Sequence, residues 1–506
     1  MTIPLSEASD SASPVSLLDP EHCYRALVAR DSRFDGVFFI GVKTTGVYCR
    51  PVCAVKTARA SSCTYYSSAA AAEAAGFRPC LRCRPELAPY ALQQNLAHAV
   101  WQRITAGALN DGNVERLAEE IGLSSRQLRR VLLQHFGVTP VELAQTQRLL
   151  FAKKLLQETV LPMTDVAYAA GFGSVRRFNA LFAERYKMAP GSIRRASVAD
   201  SEGIILRLAY RPPYAWNEVL NYLAARAMPG LEAVLAGKSA RSYVRSVVIG
   251  GREGWLQVRH VPERFQLSLQ VAPALAPVLM PLLARVRGLF DLDANPTVME
   301  SYLQTDELLA AQIRRTPGLR VPGAFDAFEL AIRAILGQQV SVAGASTVAG
   351  RLVRRFGAAI ETPFAEVSHH FPTPELLAQT AAEDIAQIGL TKTRAATIRN
   401  LAQFAATGGL QMPAGISLED AVARLKTVAG VGEWTAQYIA LRALRFADAF
   451  PAGDLALQKA AAVAPETRMT EKQLLSRAHP WSPWRSYAAL LLWQSLSSKA
   501  SNPDTE

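Results

Sequence analysis

Residues 425–436 read Leu425-Lys426-Thr427-Val428-Ala429-Gly430-Val431-Gly432-Glu433-Trp434-Thr435-Ala436. Apolar residues fall at helical spacing before this stretch and again after it, which predicts two helices joined by a tight turn. Gly430 and Gly432 are expected to supply the backbone angles that such a hairpin needs. Successive N–H groups at the start of the second helix would form a cradle suited to a DNA phosphate. For the turn alone, the alternative is an ordinary link between packed helices.

An aspartate on a Pro/Gly turn follows this hairpin, in the sequence Phe450-Pro451-Ala452-Gly453-Asp454. Because turn residues precede Asp454 and a helical pattern follows it, its simplest role is that of a helix N-cap. Capping does not exclude a chemical role for the carboxylate. From Pro322 onward the chain is predicted to be nearly all helical, with helices at residues 325–338, 342–356, 373–387, 391–406, 418–428, 435–447 and 454–463.

The composition indicates a multidomain protein with a polyanionic partner. The 506 residues suffice for three or four domains, and apolar residues make up 50% of them. The formal net charge of +12 favours nucleic acid as the partner. The first 19 residues lack the features of a signal peptide, and no apolar run approaches the ~18 residues that span a membrane. We therefore expect a cytosolic protein without a membrane partner.

All six cysteines lie before residue 84. Cys49 and Cys53 form one short-spaced pair, and Cys80 and Cys83 form another. Two such pairs can close a tetrahedral site around one zinc ion, and a closed site of four cysteines is usually structural. The other two cysteines, Cys23 and Cys63, lack paired spacing and are expected to be buried thiols.

Residues 92–197 contain two copies of a helix-turn-helix pattern. In the first, a helix ends at Gly122, Ser124 caps the next, and basic or amide side chains lie along that second helix. In the second copy, Gly171 forms the turn and Ser174 the cap. Helices of this kind insert into the major groove, where such side chains read base edges. The candidate DNA contacts are Arg126, Gln127, Arg130, Arg176 and Arg177.

The segment from 204 to 310 reads as a small α+β domain. Strands are predicted at residues 204–208, 247–251 and 265–270, with helices at about 215–227 and 275–288, which suggests an antiparallel sheet. A polar, acidic linker is predicted before it, from Ala196 to Gly203. The segment carries no catalytic constellation of its own, so the favoured role is that of a scaffold.

Residues 44–53 and 75–83 resemble the zinc domain of the Ada family of DNA repair proteins, which accept methyl groups from DNA phosphotriesters. The resemblance implies that Cys49 is both zinc ligand and methyl acceptor, and Arg50, Arg78 and Arg82 are expected to hold the DNA backbone. Methylation would remove one negative charge from the site and so weaken its repulsion of DNA. The two helix-turn-helix copies, with the closing sequence Tyr186-Lys187-Met188-Ala189-Pro190, resemble the AraC-type DNA-binding domain.

Residues 204–499 resemble the helix-hairpin-helix DNA glycosylases, in particular those of the 3-methyladenine DNA glycosylase II type. The resemblance makes Asp454 the catalytic carboxylate, and it places Trp434, Tyr438 and Trp493 around the base pocket, although each of these aromatics alone could be core packing. At the position of the lysine of relatives that cleave the strand, this chain has Trp434, so lyase chemistry is not expected. The residues expected to contact DNA are Gly430, Val431, Gly432, Thr435 and Gln339, the last in place of the family's apolar wedge.

Together these features predict a mainly α, multidomain chain. It comprises an Ada-like zinc-bound α/β domain (15–88), an AraC-type double helix-turn-helix (92–197), an α+β antiparallel-sheet domain (204–310) and an all-α glycosylase domain (311–499). The expected function is that of a transcriptional activator switched by methylation of Cys49, joined to a glycosylase that excises 3-methyladenine and related bases. Alkylated double-stranded DNA, promoter DNA and RNA polymerase are the expected partners, in the cytoplasm and nucleoid of a bacterium. The alternative is a phosphotriester-repairing transcription factor whose C-terminal half only binds DNA.

Overall fold

The structure is a computed structural model that describes residues 18–31, 34–88, 96–110, 112–194, 203–237, 240–413, 415–462 and 467–500. The predicted linker at 196–203 lies outside these residues except for Gly203, as do the first residues of the two N-terminal domains predicted at 15 and 92. Within the described ranges, no helix has the length and hydropathy to cross a membrane.

A small sheet with two helices forms the cysteine-containing region. Its elements are α1 (Pro20–Ala29), β1 (Phe39–Val42), β2 (Val47–Cys49), β3 (Cys63–Tyr66), α2 (Ala69–Ala74) and β4 (Arg78–Pro79), with strand order β3-β1-β2-β4. Strands β2 and β4 run parallel, and Tyr48 lies opposite Pro79. This register brings Cys49 at the end of β2 beside Cys80, whose N–H donates to the Tyr48 carbonyl at 3.0 Å. Sheet pairing thus brings the two cysteine pairs together.

Six helices follow: α3 (Leu96–Thr105), α4 (Val114–Ile121), α5 (Ser125–Phe136), α6 (Pro140–Glu158), α7 (Met163–Ala169) and α8 (Val175–Tyr186). The pairs α4–α5 and α7–α8 are the two predicted helix-turn-helix units, joined by the 19-residue α6. Gly122 and Gly171 adopt φ values of 78° and 80° at the turns, and Ser124 and Ser174 cap α5 and α8 through their side chains. The predicted turn and cap residues are confirmed.

The α+β region has five strands rather than the three predicted. They are β5 (Ile204–Ala209), β6 (Glu232–Leu235), β7 (Ser242–Ile249), β8 (Arg252–Val261) and β9 (Gln266–Val271), all antiparallel in the order β5-β9-β8-β7-β6. Two helices accompany them, α9 (Trp216–Ala225) and α10 (Leu279–Leu289). The second helix begins at Leu279, four residues later than predicted, because Pro273–Val278 forms a 3-10 helix.

The remaining chain is helical, as predicted. Its helices are α11 (Pro296–Leu303), α12 (Glu307–Arg315), α13 (Ala327–Leu336), α14 (Val342–Phe356), α15 (Pro374–Gln379), α16 (Ala382–Ala386), α17 (Lys392–Ala406), α18 (Leu418–Lys426), α19 (Glu433–Arg442), α20 (Leu455–Ala460), α21 (Glu471–Ala478) and α22 (Arg485–Ala500). The predicted helix at 373–387 is two short ones, since Thr380 adopts an extended ψ of 136° between them. The predicted helix at 435–447 stops at Arg442, and Arg445 beyond it has a left-handed φ of 58°.

Buried side chains connect these regions. One cluster fills the helical domain from Met299 to Leu492. A second cluster contains Phe151 of α6 and Phe182 of α8 together with Leu206 and Leu269 of the five-stranded sheet. Helix α6 packs on β5, and α7 of the second helix-turn-helix unit packs on the 3-10 helix Pro273–Val278, so the two regions share an interface built like a protein interior.

Candidate functional site

The turn between α18 and α19 uses its two glycines differently. Gly430 has a φ of +93°, and a Cβ there would lie 2.0 Å from Oγ1 of Thr397 on α17. Gly432 is the N-cap of α19, with φ −90° and ψ −179°, and open space surrounds its Cβ position. The prediction that both glycines supply unusual backbone angles is therefore wrong for Gly432, which any residue could replace without strain.

Two other hairpin residues on the predicted DNA-contact list point inward. Val431 is 6% exposed and its N–H donates to the Val428 carbonyl, so neither its side chain nor its N–H group faces outward. Thr435 is 2% exposed, and its Oγ1 accepts a hydrogen bond from Gln338. The predicted anion cradle would therefore consist of the first N–H groups of α19, which have no partner within their own helix.

Asp454 is the N-cap of α20, as predicted. Its Oδ1 accepts hydrogen bonds at 3.0 Å from the N–H groups of Ala456 and Leu457. Both carboxylate oxygens also face indole groups: Nε1 of Trp434 donates to Oδ2 at 3.0 Å, and Nε1 of Trp493 donates to Oδ1 at 3.1 Å. Four N–H groups from three helices thus fix the orientation of this carboxylate.

The three predicted pocket aromatics form one group around this carboxylate. The rings of Trp434 and Tyr438 are stacked with centroids 5.3 Å apart, and Trp493 meets Tyr438 edge-on at 6.2 Å. All three are only partly buried, so they are not simple core residues. Aromatic faces beside a carboxylate suit a flat, cationic group.

Sequence reasoning missed Tyr222 and Arg442, which contact the Tyr438 hydroxyl. Arg442 is 4% exposed, and its Nη1 donates to the Tyr438 hydroxyl at 2.9 Å and also to that of Tyr222. Its remaining N–H groups donate to the carbonyls of Pro322 and Gly323. Tyr222 lies on α9 of the sheet domain, far away in the chain, so no local motif signals it.

Gln339 lies at the exposed tip of the loop between α13 and α14, close in space to the hairpin. Its φ is +55°, an unfavourable value for a residue with a side chain. The predicted wedge position therefore carries an exposed amide on a strained backbone.

The four predicted metal ligands converge. The sulfur atoms of Cys49, Cys53, Cys80 and Cys83 all lie within 4.8 Å of one another, which fits a single tetrahedral zinc ion. Backbone N–H groups of Arg82 and Cys83 donate to the sulfur of Cys80, and that of Arg50 donates to Cys83. Cys53 accepts one from Val55. Among the described residues, no backbone N–H donates to Cys49, whose sulfur is thus the least stabilised of the four as a thiolate.

Two sequence predictions about this module are wrong, those for Arg50 and Cys63. Arg50 is not available for DNA, because it is 9% exposed and paired with Asp35 through two hydrogen bonds. Arg82 is exposed and Arg78 half-buried. Cys23 is fully buried, which raises the pKa of its thiol to about 11, but Cys63 is half-buried rather than buried.

The predicted base-reading side chains lie on the second helix of each helix-turn-helix unit. Arg126 and Arg130 on α5 and Arg176 and Arg177 on α8 are exposed. Gln127 has a capping role that the sequence did not suggest, since its Oε1 accepts the Ser124 N–H at 2.9 Å.

Four family profiles match the chain. They are the metal binding domain of Ada (residues 22–86), a helix-turn-helix domain (117–196), the AlkA N-terminal domain (205–326) and the HhH-GPD superfamily of base excision DNA repair proteins (332–484). The 3-methyladenine DNA glycosylase from Archaeoglobus fulgidus has the same fold over 59% of this chain and 99% of its own, with a TM-score of 0.50 and 20% identity.

Relatives with curated descriptions cover different shares of the chain. The Escherichia coli DNA-3-methyladenine glycosylase 2 is 37% identical over 56% of this chain and 95% of its own length, and Escherichia coli Ada, a bifunctional transcriptional activator/DNA repair enzyme, is 34% identical over 26% and 37%. The probable bifunctional transcriptional activator/DNA repair enzyme AlkA of Mycobacterium tuberculosis is 38% identical over 94% of this chain and 97% of that protein. The chain therefore belongs to the family of AlkA-type bifunctional transcriptional activator/DNA repair enzymes.

Proposed function

We propose that the C-terminal half is a DNA glycosylase that removes alkylated bases from double-stranded DNA, with Asp454 as its catalytic carboxylate. The observation that carries this proposal is the position of Asp454, held by Trp434 and Trp493 beside the aromatic group and the hairpin. A pocket of this kind can receive a flat base only after the nucleotide has left the duplex.

The chemistry needs only one carboxylate. A purine alkylated on a ring nitrogen carries a positive charge, so it leaves as a neutral base without a proton from an acid. The C1′–N bond breaks, its electron pair departs with the base, and the carboxylate of Asp454 stabilises the positive charge that develops on the sugar. Water then adds to C1′ and loses a proton, for which Asp454 is the acceptor within reach. The product is an abasic sugar with an uncleaved strand, since Trp434 cannot form a Schiff base.

Asp454→Asn tests this role separately from the role of helix cap. Asparagine is as good an N-cap as aspartate, but its NH₂ group cannot accept the Trp434 hydrogen bond that Oδ2 accepts, so the melting temperature should fall only slightly. Loss of the charge should slow base release from alkylated DNA by roughly 10³-fold or more in single-turnover assays. Base release at the normal rate by the Asp454→Asn protein would refute the catalytic assignment, and release by the wild-type protein would refute the alternative of a C-terminal half that only binds DNA.

We further propose that Cys49 accepts methyl groups from DNA phosphotriesters. Its thiolate attacks the methyl carbon, the carbon–oxygen bond breaks, and the phosphodiester leaves as an anion. Bound zinc would keep the sulfur deprotonated, and Cys49, without a backbone donor in the described part of the chain, is more nucleophilic than Cys80. Each molecule would react once, because S-methylcysteine has no route back to the thiolate. Loss of one negative charge would strengthen promoter binding by the helix-turn-helix units and so favour activation through RNA polymerase.

Peptide mass spectrometry after incubation with methylated DNA checks the acceptor. One methyl group should appear on the peptide with Cys49, and none should appear in a Cys49→Ser protein. A methyl group on Cys53, Cys80 or Cys83 instead would refute the assignment.

A further inference from the structure

The loop between α13 and α14 holds an unfavourable conformation at the surface. Gln339 has a φ of +55°, and the neighbouring Val340 and Val342 are each 44% exposed. A strained, exposed backbone persists only where surrounding contacts hold it in place. The contacts around Gln338 supply this support.

Gln338 connects this loop to the hairpin through its side chain. Its Nε2 donates to Oγ1 of Thr435 at 3.0 Å and reaches the carbonyl of Gly430 at 3.4 Å. The Thr435 hydroxyl lies inside the hairpin, since the residue is 2% exposed. The amide therefore links the residue before the loop tip to both sides of the hairpin turn.

A third segment fixes the backbone of Gln338. Nη2 of Arg394 on α17 donates to the Gln338 carbonyl at 2.6 Å. The same helix supports the hairpin, because Thr397 fills the space where a side chain at Gly430 would lie. Loop and hairpin thus rest on one helix as well as on each other.

We propose that Gln338 is a positioning residue for base extrusion, which holds the Gln339 side chain at a fixed distance from the DNA-gripping hairpin. This inference rests on the glycosylase function proposed above. When a nucleotide leaves the duplex, the gap must be filled by a side chain while the neighbouring phosphates are held. Because Gln338 links the loop to the hairpin, both are already in the arrangement that filling the gap requires before DNA binds. Less conformational ordering is then needed when the base leaves the duplex.

The link between Gln338 and the hairpin can be weakened from either side. Gln338→Ala deletes the amide, and Thr435→Val deletes its acceptor with almost no change of shape, so at least one of them should fold normally. Gln339→Ala removes the side chain that fills the gap, while Gln403→Ala, at an exposed position of α17, is the matched control.

Single-turnover base release by the full-length protein distinguishes a loss of positioning from a general loss of catalytic activity. Two duplexes carry 7-methylguanine, either paired with cytosine or in a single-nucleotide bulge, where the base is already unstacked. Gln338→Ala and Thr435→Val should release the paired base about 10-fold more slowly and the bulged base at nearly the wild-type rate. Gln339→Ala should follow the same pattern, and Gln403→Ala should match wild type on both. Equal losses on both duplexes, or no loss on the paired one, would overturn the inference.

Fluorescence of 2-aminopurine next to the lesion measures extrusion without chemistry. Wild-type protein should raise the signal on the paired duplex, and Gln338→Ala should raise it less. If wild-type protein extrudes the base but releases none, the proposed glycosylase function fails while the fluorescence still decides the role of Gln338. An equal rise with wild type and Gln338→Ala would exclude that role whatever the outcome of the chemistry.

Discussion

The hydroxyl group of Tyr438 lies among three arginine side chains. Burial alone would raise its pKa, but Arg442, Arg226 and Arg333 favour the anion, and together with a hydrogen bond from Tyr222 they lower the pKa to about 8. Arg442 makes the closest contact, through Nη1 at 2.9 Å. A tyrosine of the proposed base pocket can therefore carry negative charge under mildly alkaline conditions.

We expect this charge to change the affinity of the pocket for cationic bases. As the pH rises through about 8, ionised Tyr438 adds a negative charge beside the base, so a cationic abasic-site analogue should bind more tightly. Tyr438→Phe should remove this rise and also the corresponding phenolate absorbance change. A neutral abasic-site analogue is the control, since its affinity should not follow the same transition. Identical pH profiles for wild type and Tyr438→Phe would contradict the prediction.

At the scale of elements, one glycine of the hairpin is required by the fold, and the other lies where DNA is expected to bind. Gly430→Ala should destabilise the protein by about 1–3 kcal/mol, because the new methyl group meets Thr397 and the φ is +93°. Gly432→Ser should leave stability unchanged or raise it by about a few tenths of a kcal/mol, because serine is a slightly better N-cap at these angles.

The two substitutions should also differ in DNA affinity. The introduced serine hydroxyl would accept hydrogen bonds from the N–H groups that a phosphate is expected to use, so Gly432→Ser should bind abasic DNA more weakly despite its stability. Thermal unfolding and equilibrium binding measure the two effects. Unchanged DNA affinity in Gly432→Ser would show that α19 does not hold a phosphate.

Elements with a strong local signal could be predicted from the sequence, and elements defined by distant contacts could not. The caps at Ser124 and Ser174 and the left-handed turn at Gly171 have local signals, which is why the sequence predicts them, although Asn110 also leaves no room for a side chain at Gly171. Strand β8, Arg252–Val261, was missed because its charged and polar residues weaken the alternation, and its identity as a strand depends on pairing with β7 and β9. The break between α15 and α16 has no glycine or proline to mark it.

In the candidate site, too, residues with a local signal could be predicted from the sequence, and residues defined by distant contacts could not. Asp454, Trp434 and Tyr438 lie within one short region whose pattern suggested their proximity. Arg442 looked like any helical arginine, since its importance comes from tyrosines and carbonyls that other segments supply. The expectation that Arg50 holds DNA is wrong for the corresponding reason, because its partner Asp35 is outside the cysteine motif.

At the scale of the whole molecule, the predicted domains are joined by buried polar contacts. Arg211 of the sheet domain donates through Nε and Nη2 to the Asp35 carbonyl, beside the metal site. Glu86, just after the last metal ligand, forms an ion pair with Lys153 of α6 at 2.6 Å. The Lys153 side chain is fully buried, so this pair lies inside the interface. Contacts of this kind require the domains to keep one arrangement, which makes their stabilities interdependent.

Glu73 gives the sharpest test of this dependence. It is 4% exposed between the metal module and the helix-turn-helix region, and it accepts hydrogen bonds at 3.0 Å from the hydroxyl groups of Tyr48 and Thr146. Burial raises its pKa from 4.5 to about 7, and the two hydroxyl groups offset only part of this effect. Since the folded state binds the proton more tightly than the unfolded state, stability is lost as the pH rises from 4.5 to 7.

Glu73→Gln should therefore stabilise the protein in a pH-dependent way. The amide keeps the shape and the hydrogen-bonding capacity of the protonated acid but cannot ionise. At about pH 8 the variant should be more stable than wild type by roughly 2–3 kcal/mol, and this difference should shrink toward zero as the pH falls below 4.5. Denaturant unfolding across this range measures it, with Glu119→Gln on the exposed face of α4 as the control. A destabilised Glu73→Gln protein at pH 8 would mean that the charged carboxylate holds these two domains together.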